Sequence, residues 1–184
     1  MTKTNWVLDP THSELGFKIR HLMISNVSGS FKNFKIDVKT ENEDFSTAKI
    51  LATVDMDSID TKNQQRDEHL RNSDFFETDK YPELIFKSTK IEKAEEDTFI
   101  LHGDLTMKGI TKPVKLNLEF NGLVKDPWGG ERAGFLLTGK INRHEWGINF
   151  NAALEAGGLA LGEDVKIHSE VELVKEVAAV VAAA

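Results

Sequence analysis

The sequence predicts an all-β chain: about eight antiparallel strands closed into an extended barrel, with one short surface helix near residues 62–72. Three observations carry that expectation. In segment after segment, apolar side chains recur at every second position, the period of a strand with one buried and one wet face. Turn-forming residues separate these segments. Glycines fall within or beside them at Gly16, Gly29, Gly103, Gly122 and Gly139, where a closing sheet must bend.

The alternation begins with Leu15, Phe17 and Ile19 set against Glu14, Lys18 and Arg20, then Phe34, Ile36 and Val38 against Lys35, Asp37 and Lys39. Ala52, Val54 and Met56 repeat it against Thr53, Asp55 and Asp57. Thr61-Lys62-Asn63-Gln64 then has the spacing of a capping box, and Gln65 to Arg71 contains only helix-tolerant residues. Leu70 is the one aliphatic residue of that stretch, so the helix is read as a surface helix or lid. Tyr81-Pro82 returns the chain to extended structure, because the residue before proline avoids the helical region. Five further segments follow: Leu84 to Ser88, Phe99 to Leu105, Val114 to Phe120, Phe135 to Ile141 and Val165 to Leu173. Lys108-Gly109, Asp126-Pro127-Trp128-Gly129-Gly130 and Gly157-Gly158 supply turns between them. No repeat or linker divides the chain, which gives one domain over residues 1–176 and an alanine-rich tail over 177–184. A barrel of eight strands either fills with side chains or holds one small ligand, and the period alone does not separate the two.

Composition removes several function classes. The formal charge of −7 opposes phosphate backbones and anionic lipid surfaces, so nucleic acid is not an expected partner. The absence of cysteine excludes thiol catalysis and thiolate zinc sites, and the six histidines are scattered singly rather than at ligand spacing. No metal or cofactor is expected. Gly157-Gly158-Leu159-Ala160-Leu161-Gly162 fails the dinucleotide spacing. The start of the chain has no apolar export segment, which predicts a cytoplasmic protein. The longest apolar run, residues 177–184, is far short of the ~20 residues of a membrane span, so stable insertion is not expected.

Two polar groupings invite a chemical reading. Asp9, His12 and Ser13 supply the side-chain types of a hydrolase triad, but neighbouring side chains on an extended segment point apart. A turn with local capping is the simpler expectation. In the helix, Asp67 and Arg71 are spaced to pair, as are Arg66 and His69; alternatively Arg66, His69 or Arg71 faces a barrel mouth and meets a polar headgroup. Eleven phenylalanines against one tyrosine bring large apolar area with no polar handle, suited either to a core or to the wall of a tunnel.

Several blocks resemble the YceI-like family. They comprise Trp-Val-Leu-Asp-Pro-Thr-His-Ser at residues 6–13, Gly-Phe-Lys-Ile-Arg-His-Leu at 16–22, and Val-Ser-Gly-Ser-Phe at 27–31. Further blocks are Ser-Ile-Asp-Thr at 58–61, Arg-Asp-Glu-His-Leu-Arg-Asn-Ser-Asp-Phe-Phe at 66–76, and residues 81–89, 103–112 and 142–147. They run in order over nearly the whole chain up to the tail, which lies outside the resemblance. It implies a lipocalin-like antiparallel barrel whose hollow interior takes a polyisoprenoid, such as the tail of a prenylated quinone, and an isoprenoid lipid as the partner. On that reading the chain is a carrier or store, not an enzyme. Chosen by strand face, Phe17, Ile19, Phe34, Val54, Phe86, Leu116 and Leu137 are expected to line the tunnel. Phe31, Phe75 and Phe76 are placed near its mouth, with Arg66 or His69 at the headgroup. Two alternatives stand beside it: an enzyme using His12, His69 or His144 as acid or base, and a filled barrel serving protein interaction. A homodimer through the Trp128 loop or the tail is a further expectation.

Overall fold

All eight alternating segments become strands in the computed structural model, which describes residues 1–177. The rest of the alanine-rich tail lies outside the described residues. In chain order the strands are β1 (Lys3–Leu8), β2 (Glu14–His21), β3 (Ser25–Phe31), β4 (Phe34–Glu41), β5 (Asp44–Asp55) and β6 (Ile59–Asp60). Helix α1 (Gln64–Arg71) follows, then β7 (Glu83–Lys93), β8 (Thr98–Met107), β9 (Ile110–Lys125), β10 (Glu131–Asn142) and β11 (Leu161–Lys175).

All pairings are antiparallel, and they close on themselves: β1-β4-β5-β7-β8-β9-β10-β11 returns to β1. The three extra strands do not enlarge the ring. β1 and β2 lie one after the other along β11, separated by a short 3-10 turn at Pro10–His12, and β3 and β4 lie one after the other along β2 and β1. The barrel therefore has eight staves, two of them interrupted. β1 and β3 were not legible as strands because Lys-Thr-Asn-Trp-Val-Leu and Ser-Asn-Val-Ser-Gly-Ser-Phe lack a clean alternation.

The helix departs from its expected start. Its N-cap is Asn63, whose side chain accepts from the Arg66 backbone N–H at 2.9 Å, rather than Thr61. Thr61 is used differently: its backbone N–H and its hydroxyl both donate to Asp67 Oδ1, at 2.9 and 2.5 Å. Neither expected intrahelical pair forms. Asp67 is committed to Thr61, and Arg71 reaches out of the helix to the carbonyls of Asp57 and Ile59, at 3.1 and 3.2 Å. An eight-residue helix is marginal on its own, so these anchors to the β6 segment hold it.

The interior divides into two halves. At one end Trp6, Val38, Ala133, Phe135, Val171 and Leu173 are buried, with Phe45 and Phe120 packed against them. Phe45 sits between Trp6 and Phe135, 4.9 Å from each ring centroid, and Phe120 is 5.3 Å from Phe135. The Trp6 indole N–H finds Thr40 Oγ1 at 3.1 Å, so this aromatic plug has no stranded donor. At the other end the inward faces are lined by a second cluster that does not fill the space. Phe135→Ala should remove about 3–5 kcal/mol of stability by emptying the plug, measured by chemical denaturation; a loss under about 1 kcal/mol would contradict the plug's role.

Candidate functional site

The unfilled half contains a cavity of about 420 Å³, within the range of small-molecule sites. Its wall is almost entirely aliphatic and aromatic. Inward residues such as Phe17, Ile19, Leu137 and Ile167 are only part-buried although they point away from bulk solvent, because they face this hollow. Glycines help keep it open. The Phe17 ring lies against Gly29 and the Phe86 ring against Gly103; a Cβ on either glycine would stand 2.4 or 2.3 Å from a ring carbon. Gly139 accommodates Leu116 in the same way. Close packing of large side chains over glycine, more than bending, explains these three positions.

One section of wall is not sheet. Among the described residues β3 pairs beyond β2 only with the two residues of β6, and the chain from α1 onward covers the opening that remains. Arg66, His69 and Leu70 of α1, with Phe75 and Phe76 after it, join the cavity wall. Arg66 is held by bonds from Nε and Nη2 to Thr61 Oγ1 and Thr61 O, both 2.7 Å. His69 pairs through Nε2 with Asp74 at 2.8 Å and stands edge-on to Phe75 and Phe150, at 5.0 and 4.9 Å. Phe150 is 37% exposed while also lining the cavity, which places the mouth between α1 and the segment after β10. Exposed Leu22, Met23, Ile24 and Leu159 lie beside it, with Leu22 N–H bonded to Ala160 O at 2.8 Å.

The structure thus brings together every residue expected at the tunnel and its mouth. Phe17, Ile19, Phe31, Phe34, Val54, Phe75, Phe76, Phe86, Leu116 and Leu137 all line one cavity, as do Arg66 and His69. Residues not singled out from sequence, including Ile148, Phe150, Val114 and Arg143, complete it. The loop residues carry no period by which they could have been found.

The possible triad does not assemble. His12 Nδ1 meets Asp9 Oδ2 at 2.9 Å, but Ser13 Oγ turns to β11, accepting from Glu172 N–H at 2.9 Å. Bonds from the Thr11 hydroxyl, His12 and Arg132 hold the Asp9 carboxyl far below the usual carboxylate range. Arg132 also binds Asp126 and Glu172, at 2.9 and 2.6 Å, so this cluster ties the β1–β2 kink, the β9–β10 turn and β11 together outside the barrel. Of His12, His69 and His144, only His69 lines the cavity.

Sequence and structure comparisons agree with this geometry. The sequence model of the YceI-like domain matches residues 6–173. The chain belongs to the YceI-like family. A UPF0312 protein of Staphylococcus aureus strain USA300 is 45% identical over 170 residues, covering 92% of this YceI-like chain and 96% of the relative. The crystal structure of the Campylobacter jejuni YceI protein is 34% identical, covers 92% of this chain and 97% of its own, and superposes with a TM-score of 0.73. A polyisoprenoid-binding domain from Saccharophagus degradans, implicated in plant cell wall breakdown, shares the fold with a TM-score of 0.68 at 16% identity, covering 91% of this chain and 97% of the domain.

Asp67 is the buried anchor of the helical wall, and losing its two charge-assisted bonds to Thr61 should cost about 2–3 kcal/mol. Asp67→Ala is expected to raise amide hydrogen exchange across residues 61–76 more than in the plug. Uniform exchange change over both regions would contradict this placement.

Proposed function

We propose that the chain is a non-catalytic lipid-binding barrel, holding the apolar tail of a polyisoprenoid or prenylated quinone for storage, protection or transport. The observation that carries this reading is the single-ended apolar cavity: walled by hydrocarbon, closed by the aromatic plug, and opening beside α1. Such a site rewards a long chain that makes no hydrogen bonds along its length. Each buried methylene contributes about 0.8 kcal/mol, so a few isoprene units exceed the ~8 kcal/mol of micromolar binding before association costs are subtracted. A wholly filled interaction barrel would lack this space. The polyisoprenoid-binding domain of S. degradans supports the choice of ligand class.

Two of the three histidines weighed as acid or base lie away from the cavity. Proton transfer needs an acid or base within reach of the reacting atom; His12 and His144 stand outside the cavity wall, while His69, paired with Asp74, and His21 line it, so recovery of the bound lipid unchanged is what separates binding from catalysis.

Protein purified from its native host should release a prenyl lipid on organic extraction, identified by mass spectrometry. After delipidation it should take up a prenylated quinone and return it chemically unchanged. Folded protein that carries no lipid and takes none up would sink the reading, and a converted lipid would favour the enzymatic alternative. Leu137→Trp, which projects an indole into the cavity, should fold with a penalty of about 1–3 kcal/mol and lose at least tenfold in uptake. Uptake unchanged in that variant would put the ligand elsewhere.

A further inference from the structure

The chain carries seven more acidic than basic side chains, yet among the described residues no Asp or Glu lines the cavity. Its four ionisable wall residues are all basic: His21, Arg66, His69 and Arg143. Arg143 is the exceptional one. It is 2% exposed, its Nε donates to Gly162 O at 2.8 Å, and its Nη1 donates to Ile148 O and Phe150 O at 2.9 and 2.8 Å. Its Nη2 is buried and has no hydrogen-bond partner among the described residues. Among the described residues no carboxylate comes within ion-pair distance of either Arg143 or Arg66.

Acidic groups do stand near, but each is turned to another partner. Asp67 is bonded to Thr61, Asp74 to His69, and Glu163, whose charge Arg143 feels, approaches His144 Nε2 at 3.9 Å and is mostly exposed. A guanidinium stays charged under physiological conditions. One that is buried without a counter-charge is costly where it stands and attracts any anion that enters. Arg143 is also placed at the mouth, since the loop it binds carries Phe150, the ring facing His69.

We infer that the mouth end of the cavity selects a single-chain lipid with an anionic, oxygen-bearing headgroup, and that Arg143 is the residue that recognises it. This rests on the lipid-binding reading above and adds the headgroup class. Arg66 supplies further positive charge toward solvent, where the headgroup keeps part of its hydration. The hydrogen bonds from Arg143 to three carbonyls position the loop, but they use only Nε and Nη1; a purely structural guanidinium would leave binding indifferent to headgroup charge.

The test compares two ligands with one chain. Delipidated protein is titrated calorimetrically with geranylgeranyl phosphate and with geranylgeraniol, below their aggregation concentrations. The phosphate should bind roughly tenfold or more tightly at low salt, with the gap narrowing as salt rises. Arg143→Met should remove most of the gap while leaving the alcohol's affinity within about twofold, and Arg143→Lys should retain more of it. Equal affinities in the wild-type chain, or an undiminished gap in Arg143→Met, would overturn the inference. Should Arg143→Met fail to fold, the wild-type pair and Arg143→Lys decide it. Failure of both lipids to bind folded wild-type protein would instead remove the lipid-binding reading itself.

Discussion

The hydrogen bonds that β11 makes on its two edges, to β10 on one side and to β1 and then β2 on the other, fix everything inside the barrel. Once that ring closes, its circumference is set, and eight strands enclose a space that side chains can just fill or leave open for a ligand. Which of these happens is decided locally by the inward residues. Where Trp6, Phe45, Phe120 and Phe135 meet, the space is filled. Where large residues lie over Gly29, Gly103 and Gly139, it is not. The same barrel is thus a packed core at one end and a cavity at the other.

The interrupted staves explain why a helix is needed. The kink between β3 and β4 leaves β3 without a full partner on its outer edge, and the chain between β6 and β7 covers that opening. α1 cannot do this by hydrophobic burial, since Leu70 is its one aliphatic residue. Polar anchors replace burial: Asp67 on Thr61, Arg66 on Thr61, and Arg71 on the carbonyls of Asp57 and Ile59. A wall held by a few directional bonds opens locally at lower cost than a sheet ladder, which suits the entry of a long chain on the proposed lipid-binding reading.

The fold was legible in the sequence because period two survives wherever one strand face is wet, and all eight alternating segments are strands. The strand residues of the cavity wall were legible for the same reason, since strand face alone assigns Phe17, Val54, Phe86 and Leu137 inward. Other features were not. Alternation does not distinguish an inward Phe135, which fills, from an inward Phe86, which folds back over a glycine, because the difference lies in the facing strand. The helix start was misplaced because Thr61 and Asn63 are both good caps, and the tertiary bond to Asp67 claims Thr61. Arg143 carries no period, since it sits in a 3-10 turn and its burial depends on carbonyls up to 19 residues away.

A crystal structure of the chain saturated with a prenyl lipid tests the account most directly. It should show one continuous tube of density beginning beside Arg143, His69 and Phe150, passing Phe17, Phe86 and Leu137, and stopping at Phe45 and Phe135. Lipid density on the outside of the barrel, or a cavity holding ordered water under saturating lipid, would contradict it.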